Sequence, residues 1–222
     1  MRLAIELLRI SIFKMPMLKV TKYLNIAVVI LMLNACTSIP VQQSLPKPSD
    51  PELQWLQYQQ KLSTLNIWQA NGVVGVVIDN NGQSANFIWK QNHRGFWLQV
   101  YGILGLGATT FVGNDGGVTM KQSNGKLKKA KTLALLMQQA LDWYLPLEDL
   151  FYWARGLYNP NLPYAIQLNE YGVPETIQQQ GWHINYQNYT LLAKNYPLAQ
   201  RITLYHNNIK LTGVIKTWTI DA

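Results

Sequence analysis

The chain has 222 residues, 48% of them apolar and 14% charged, with 19 Lys or Arg against 11 Asp or Glu and a formal net charge of +8. That length suits one domain with a real core, and the composition excludes disordered, collagen-like and low-complexity chains. Half of the basic excess lies in residues 1–35, where Arg2, Arg9, Lys14, Lys19 and Lys22 face only Glu6. The remainder shows no basic stripe beyond Lys126, Lys128, Lys129 and Lys131, which read as a solvated hairpin-to-helix connection, so nucleic-acid binding is not expected.

The chain opens with a basic segment and an apolar run from Leu24 to Leu33. The run is too short for a confident membrane span and reads as the core of a secretory signal, with Met1, Met15 and Met17 as alternative starts. It stops at Leu33-Asn34-Ala35-Cys36, which resembles a bacterial lipobox. Cys36 is the single cysteine, so it forms no intramolecular disulfide, and its place at the end of a signal predicts lipidation. Three acyl tails there, at about 0.8 kcal/mol per buried CH₂, make an effectively permanent anchor. Thr37, in place of an Asp that would favour the inner membrane, predicts the periplasmic face of the outer membrane. Residues 1–35 are therefore expected to be a signal peptide, 36–51 a lipid anchor and flexible tether rich in Pro, Ser and Gln, and 52–222 a single domain.

Trp55, Tyr58, Leu62 and Leu65 recur at spacings of three and four, predicting a helix that begins near Asp50 or Pro51. Period-two alternation follows: Phe87 and Trp89, Leu98 and Val100, then Trp182, Ile184 and Tyr186, then Ile202 and Leu204. These predict half-buried antiparallel strands. Asp79-Asn80-Asn81-Gly82, Asn114-Asp115-Gly116-Gly117, Ser123-Asn124-Gly125 and His206-Asn207-Asn208 predict hairpin turns. One helical block interrupts the strands. Thr132 caps a helix with Leu133, Leu136, Met137, Ala140, Leu141 and Tyr144 on one face, and a second helix starts at Pro146, Glu148 and Asp149 and ends at Arg155-Gly156. The pattern predicts a mainly β fold, a curved antiparallel sheet covered by helices.

No catalytic motif of the metalloprotease, serine-hydrolase, phosphate-loop or dinucleotide type is present. His93, His183 and His206 are isolated, and Asp142, Glu148 and Asp149 sit where helix ends explain them, so no catalytic residue, metal or cofactor is expected. All 8 Trp and all Tyr but Tyr23 lie beyond Cys36. Such a load serves either a well-filled core or a half-barrel whose aromatic and Leu walls leave room for an apolar ligand.

Trp68-Gln69-Ala70-Asn71-Gly72, Ala85-Asn86-Phe87-Ile88-Trp89, Gly102-Ile103-Leu104-Gly105, the block Leu145 to Gly156, and Ile215-Lys216-Thr217-Trp218, behind a lipidated Cys36, together resemble the LolB family over nearly the whole mature chain. The resemblance implies an unclosed antiparallel β-barrel with a helical lid, acting as a monomer. Its hollow would take the acyl chains of lipoproteins from the periplasmic carrier LolA and release them into outer-membrane phospholipid without ATP. It also implies an exposed loop leucine that places the passenger in the membrane. The matching position is Leu104, with Ile103 where Pro often stands and Leu106 as a second apolar candidate. Gly102, Gly105 and Gly107 permit a sharp projecting turn. Candidate cavity walls are Trp68, Phe87, Trp89, Leu98, Val100, Phe111, Leu136, Trp153, Trp182, Ile184, Ile202 and Leu204. Arg94, Lys121 and Arg201 are candidates for steering an acidic carrier mouth. The competing reading is a structural or envelope-assembly lipoprotein with no acyl-chain cavity.

Overall fold

The computed structural model describes residues 44–102, 105, 107–136 and 146–221. Cys36 and the leader, the loop residues Ile103, Leu104 and Leu106, and the helix positions Met137, Ala140, Leu141, Asp142 and Tyr144 lie outside them.

Helix α1 (Pro51–Thr64) starts where the sequence predicts. Asp50 Oδ1 accepts from the backbone N–H groups of Glu52 (3.0 Å) and Leu53 (3.1 Å), and Pro51 fills the first helical position, where a missing N–H does no harm. Trp55, Tyr58 and Leu62 form its buried stripe. Before it, Leu45 is buried and Lys47 pairs with Glu170 at 2.5 Å, so this part of the expected tether is held against the domain.

Eleven strands form one sheet: β1 (Ile67–Ile78), β2 (Asn81–Asn92), β3 (Gly95–Tyr101), β4 (Thr109–Asn114), β5 (Gly117–Gln122), β6 (Leu127–Ala130), β7 (Tyr164–Leu168), β8 (Pro174–Gln179), β9 (Trp182–Leu192), β10 (Tyr196–His206) and β11 (Ile209–Ile220). Their order is β6-β5-β4-β3-β2-β1-β11-β10-β9-β8-β7, antiparallel throughout. The two ends of the order, β6 and β7, do not pair, so the barrel stays open. Residues 131–163 connect these edges and include a helical segment at 133–136 and helix α2 (Leu147–Trp153). Thr132 Oγ1 accepts from Leu135 N at 3.2 Å, the expected cap.

Lys128 and Lys129 lie within β6, not in a solvated connection. Lysines on an edge strand discourage pairing with a second chain.

The β1–β11 register shifts at a β-bulge between Asn71, opposite Thr217, and Gly72, opposite Ile215, with Lys216 the extra residue. A Cβ on Gly72 would lie 2.0 Å from the carbonyl oxygen of Val214, so only glycine permits this close approach of β1 and β11.

Candidate acyl-chain cavity

Strict alternation sends one set of side chains to the concave face. Across β1 to β5 the register aligns Ala70 with Trp89, Trp89 with Leu98, Leu98 with Phe111, and Phe111 with Met120. A second row aligns Phe87 with Val100 and Val100 with Thr109. On the other wing, Leu211 faces Leu204 and Leu204 faces Ile184. The concave face is therefore apolar by register over most of its length.

The face is not filled. A cavity of about 390 Å³ lies under the sheet, with Leu133 and, from the helical block, Leu150 and Ala154 completing its lining. Thr109 and Gln122 are its only polar side chains among the described residues, and none is ionisable. Gly213 explains part of the hollow: a Cβ there would meet nothing nearer than Ile202 O at 3.9 Å and Ile215 Cδ1 at 4.0 Å. An apolar cavity of about 150 Å³ already holds benzene, so this one has room for longer hydrocarbon. Among the described residues it offers burial and no ionisable side chain.

Of the twelve sequence-derived wall candidates, Phe87, Trp89, Leu98, Val100, Phe111, Ile202 and Leu204 line this cavity. Trp68, Leu136, Trp153, Trp182 and Ile184 do not. Trp68 lines a separate cleft nearer the start of β1, and the other four are solid core. For Trp153, Trp182 and Ile184 the reason is local packing of α2. Trp153 lies 6.2 Å from Trp182 between ring centroids, its Nε1 donates to Gln179 Oε1 at 3.0 Å, and its carbonyl accepts from Tyr186 Oη at 2.9 Å. Helix α2 thus plugs the β8–β9 part of the concave face. Alternation identifies a face; it does not say which part a helix fills.

The sequence missed Val74, Val76, Leu211, Gly213, Ile215 and Trp218, all on the paired first and last strands. Their alternation is masked by the glycines and by polar residues within the same runs, and nothing local announces that β1 and β11 meet. Trp218 Nε1 donates to Ala199 O at 3.0 Å, fixing that ring in the cavity wall.

The charged groups are elsewhere. Arg155 is largely buried, and burial lowers its pKa from the ordinary guanidinium value. Its Nη1 donates to Leu62 O (3.3 Å) and Leu65 O (2.9 Å), and its Nε to Phe151 O (3.1 Å). It ties α2 to the C-terminal end of α1, where a cation suits the helix dipole. Asp149 is buried and accepts from Asn159 Nδ2 at 2.7 Å and from Gln180 Nε2, a structural latch. His93 and His206 are engaged by Asn92 Oδ1 (2.8 Å) and Gly181 O (3.0 Å). Among the steering candidates, Arg94 lies 3.5 Å from Asp115 in neighbouring turns, while Lys121 and Arg201 alternate with inward residues and fall on the convex side. They do not ring one mouth.

An open antiparallel sheet with an apolar hollow defines an unclosed half-barrel class of fold. Solved structures share the fold: a LolA superfamily protein from Nitrosomonas europaea matches with a TM-score of 0.54 at 7% identity, over 77% of this chain and 94% of that one. A DUF1329 family protein from Desulfovibrio piger matches at 0.52 and 5%, over 78% and 95%. The sequence narrows the class. The profile of the family described as "Outer membrane lipoprotein LolB" matches residues 66–218. The outer-membrane lipoprotein LolB of Francisella tularensis subsp. tularensis is 38% identical over 72% of this chain and 77% of its own. That of Pseudomonas savastanoi pv. phaseolicola is 31% identical over 85% and 91%. This chain belongs to the LolB family of outer-membrane lipoproteins, with a role in lipoprotein localisation.

Proposed function

We propose that this chain is a lipid-anchored receptor, held through Cys36 at the periplasmic face of the outer membrane. There it accepts acylated lipoproteins from the carrier LolA and inserts them into the bilayer as a monomer, without ATP. The observation that carries the reading is the apolar cavity of about 390 Å³ with no ionisable lining among the described residues. Phe87, Trp89, Leu98, Val100, Phe111, Ile202 and Leu204 form its acyl-contacting wall. Transfer needs no new bonds, because chains move towards the site that buries more apolar surface, at about 0.8 kcal/mol per CH₂, and the bilayer is the final sink. A structural lipoprotein with a solid interior does not fit this hollow.

The test mixes the mature chain carrying Cys36→Ser with LolA loaded with a labelled lipoprotein, in the absence of nucleotide. Co-purification of the passenger with this chain is expected. Complete retention on the carrier, at any ratio of the two proteins, overturns the reading.

A further inference from the structure

The concave face has a second compartment. Where β1 begins and β2 ends, a cleft of about 850 Å³ has an apolar floor that includes Trp68, Phe96 and Val118, and a polar rim that includes His93, Arg94 and Lys131. It meets the apolar cavity at Leu133, the one described side chain common to both linings. Between them stands a partition of rings, with centroid separations of 4.9 Å for Trp68–Trp89, 5.3 Å for Trp89–Phe151 and 5.4 Å for Phe96–Phe151.

Trp68 is 3% exposed, and its Nε1 is the only buried side-chain nitrogen or oxygen among the described residues with no hydrogen-bond partner. The neighbouring indoles are all served: Trp89 by Gln91 Oε1, Trp153 by Gln179 Oε1, Trp218 by Ala199 O. Leaving a buried N–H unpaired is unfavourable, and a phenylalanine would fill much of the same space without that penalty. On the same cleft, whose lining also holds Glu148, Arg155 uses Nε and Nη1 on three carbonyls and forms no ion pair among the described residues. A state in which a ligand supplies acceptors to this end of the face relieves a deficit that the empty state carries.

Resting on the acyl-carrying function proposed above, we infer that this cleft is the subsite for the diacylglyceryl head of the ligand. Its ester or amide carbonyls accept from Trp68 Nε1, while the tails lie in the apolar cavity on the far side of the ring partition. An amphiphile with one carbonyl-rich head and apolar tails matches a polar compartment bordering an apolar one. Lipoproteins and phospholipids share that head.

The experiment follows the Trp68 indole N–H resonance by NMR in the mature chain carrying Cys36→Ser. Three ligands are added separately: an alkane probe with no polar head, a synthetic diacylglyceryl-cysteine peptide, and a phosphatidylethanolamine. The alkane is expected to bind with the Trp68 N–H unmoved, and a headed ligand to shift it. A shift from the lipopeptide alone assigns the subsite to passengers, and a shift from both headed ligands assigns it to diacylglyceryl heads in general. Trp68→Phe is expected to weaken lipopeptide binding about fivefold, the value of one neutral hydrogen bond, and to leave alkane affinity within about twofold. If alkane and lipopeptide both bind and neither headed ligand moves the resonance, the inference fails and the function stands. If no ligand binds, the function itself fails.

Discussion

Gln179 joins Trp153 to the chain that follows it. Its Oε1 accepts from Trp153 Nε1 at 3.0 Å and from Asn159 N at 3.0 Å, and its Nε2 donates to Asn159 O at 2.9 Å. The side chain is 2% exposed, so one amide satisfies an indole and a backbone pair beyond the reach of water. Gln179→Leu keeps the volume and orphans all three. The expected loss is about 2–4 kcal/mol in urea unfolding, and a loss under about 0.5 kcal/mol would show that the amide is not needed there.

Arg155 clamps α2 to the end of α1 through three carbonyls. Arg155→Met retains the stem and removes every donor. Stability is expected to fall by about 2 kcal/mol, with faster hydrogen exchange in α2 than in β9 or β10, because α2 loses its tie while the sheet keeps its ladder. Equal acceleration everywhere would contradict a local clamp.

Gly213 lines the hollow with room for a Cβ in ordinary van der Waals contact, 3.9 Å from Ile202 O and 4.0 Å from Ile215 Cδ1, and its backbone is not in the left-handed region. Gly213→Leu is therefore expected to fold and to fill part of the cavity. Binding of an apolar fluorescent probe should drop at least about tenfold while the thermal midpoint changes little. Unchanged probe affinity would place the ligand elsewhere.

Burial pushes the Tyr186 phenol well above its ordinary value of about 10, and its hydroxyl donates to Trp153 O at 2.9 Å. The folded state holds this proton where the unfolded chain releases it. Stability from this group is therefore complete below pH about 10 and declines above it, by about 1.4 kcal/mol per pH unit, until the folded pKa is passed. Tyr186→Phe should flatten the alkaline limb of a stability profile. An identical slope in the variant would assign the titration to other groups.

For the loop between β3 and β4, Leu104→Glu combined with Leu106→Glu is expected to leave passenger binding intact and to stall delivery into outer-membrane lipid vesicles, since charged tips do not enter a bilayer. Normal delivery would remove the loop from the mechanism.

Legibility followed the locality of the signal. Helix α1 was readable because its cap, its proline and its buried stripe all lie within fifteen residues. Turns at Asp79-Asn80 and Asn207 were readable because Asn and Asp tolerate positive φ. Gln180, Ala193 and Lys194 also adopt positive φ, and these residue types give no warning of it. The cavity was half legible. Phe87, Trp89, Leu98 and Val100 alternate in plain view, whereas the hollow beside Gly213 exists because a side chain is missing and because β11 returns to β1. Neither fact is local. The unpaired Trp68 N–H, likewise, is a property of its surroundings and not of the word Trp.

The pairing of Trp68 with Ile220 sews the chain's opening strand to its closing one. Without that seam the two wings are separate meanders, and zipping it brings together segments far apart in sequence, a slow kind of step. The receptacle, lined from both strands, therefore exists only once this long-range pairing is made.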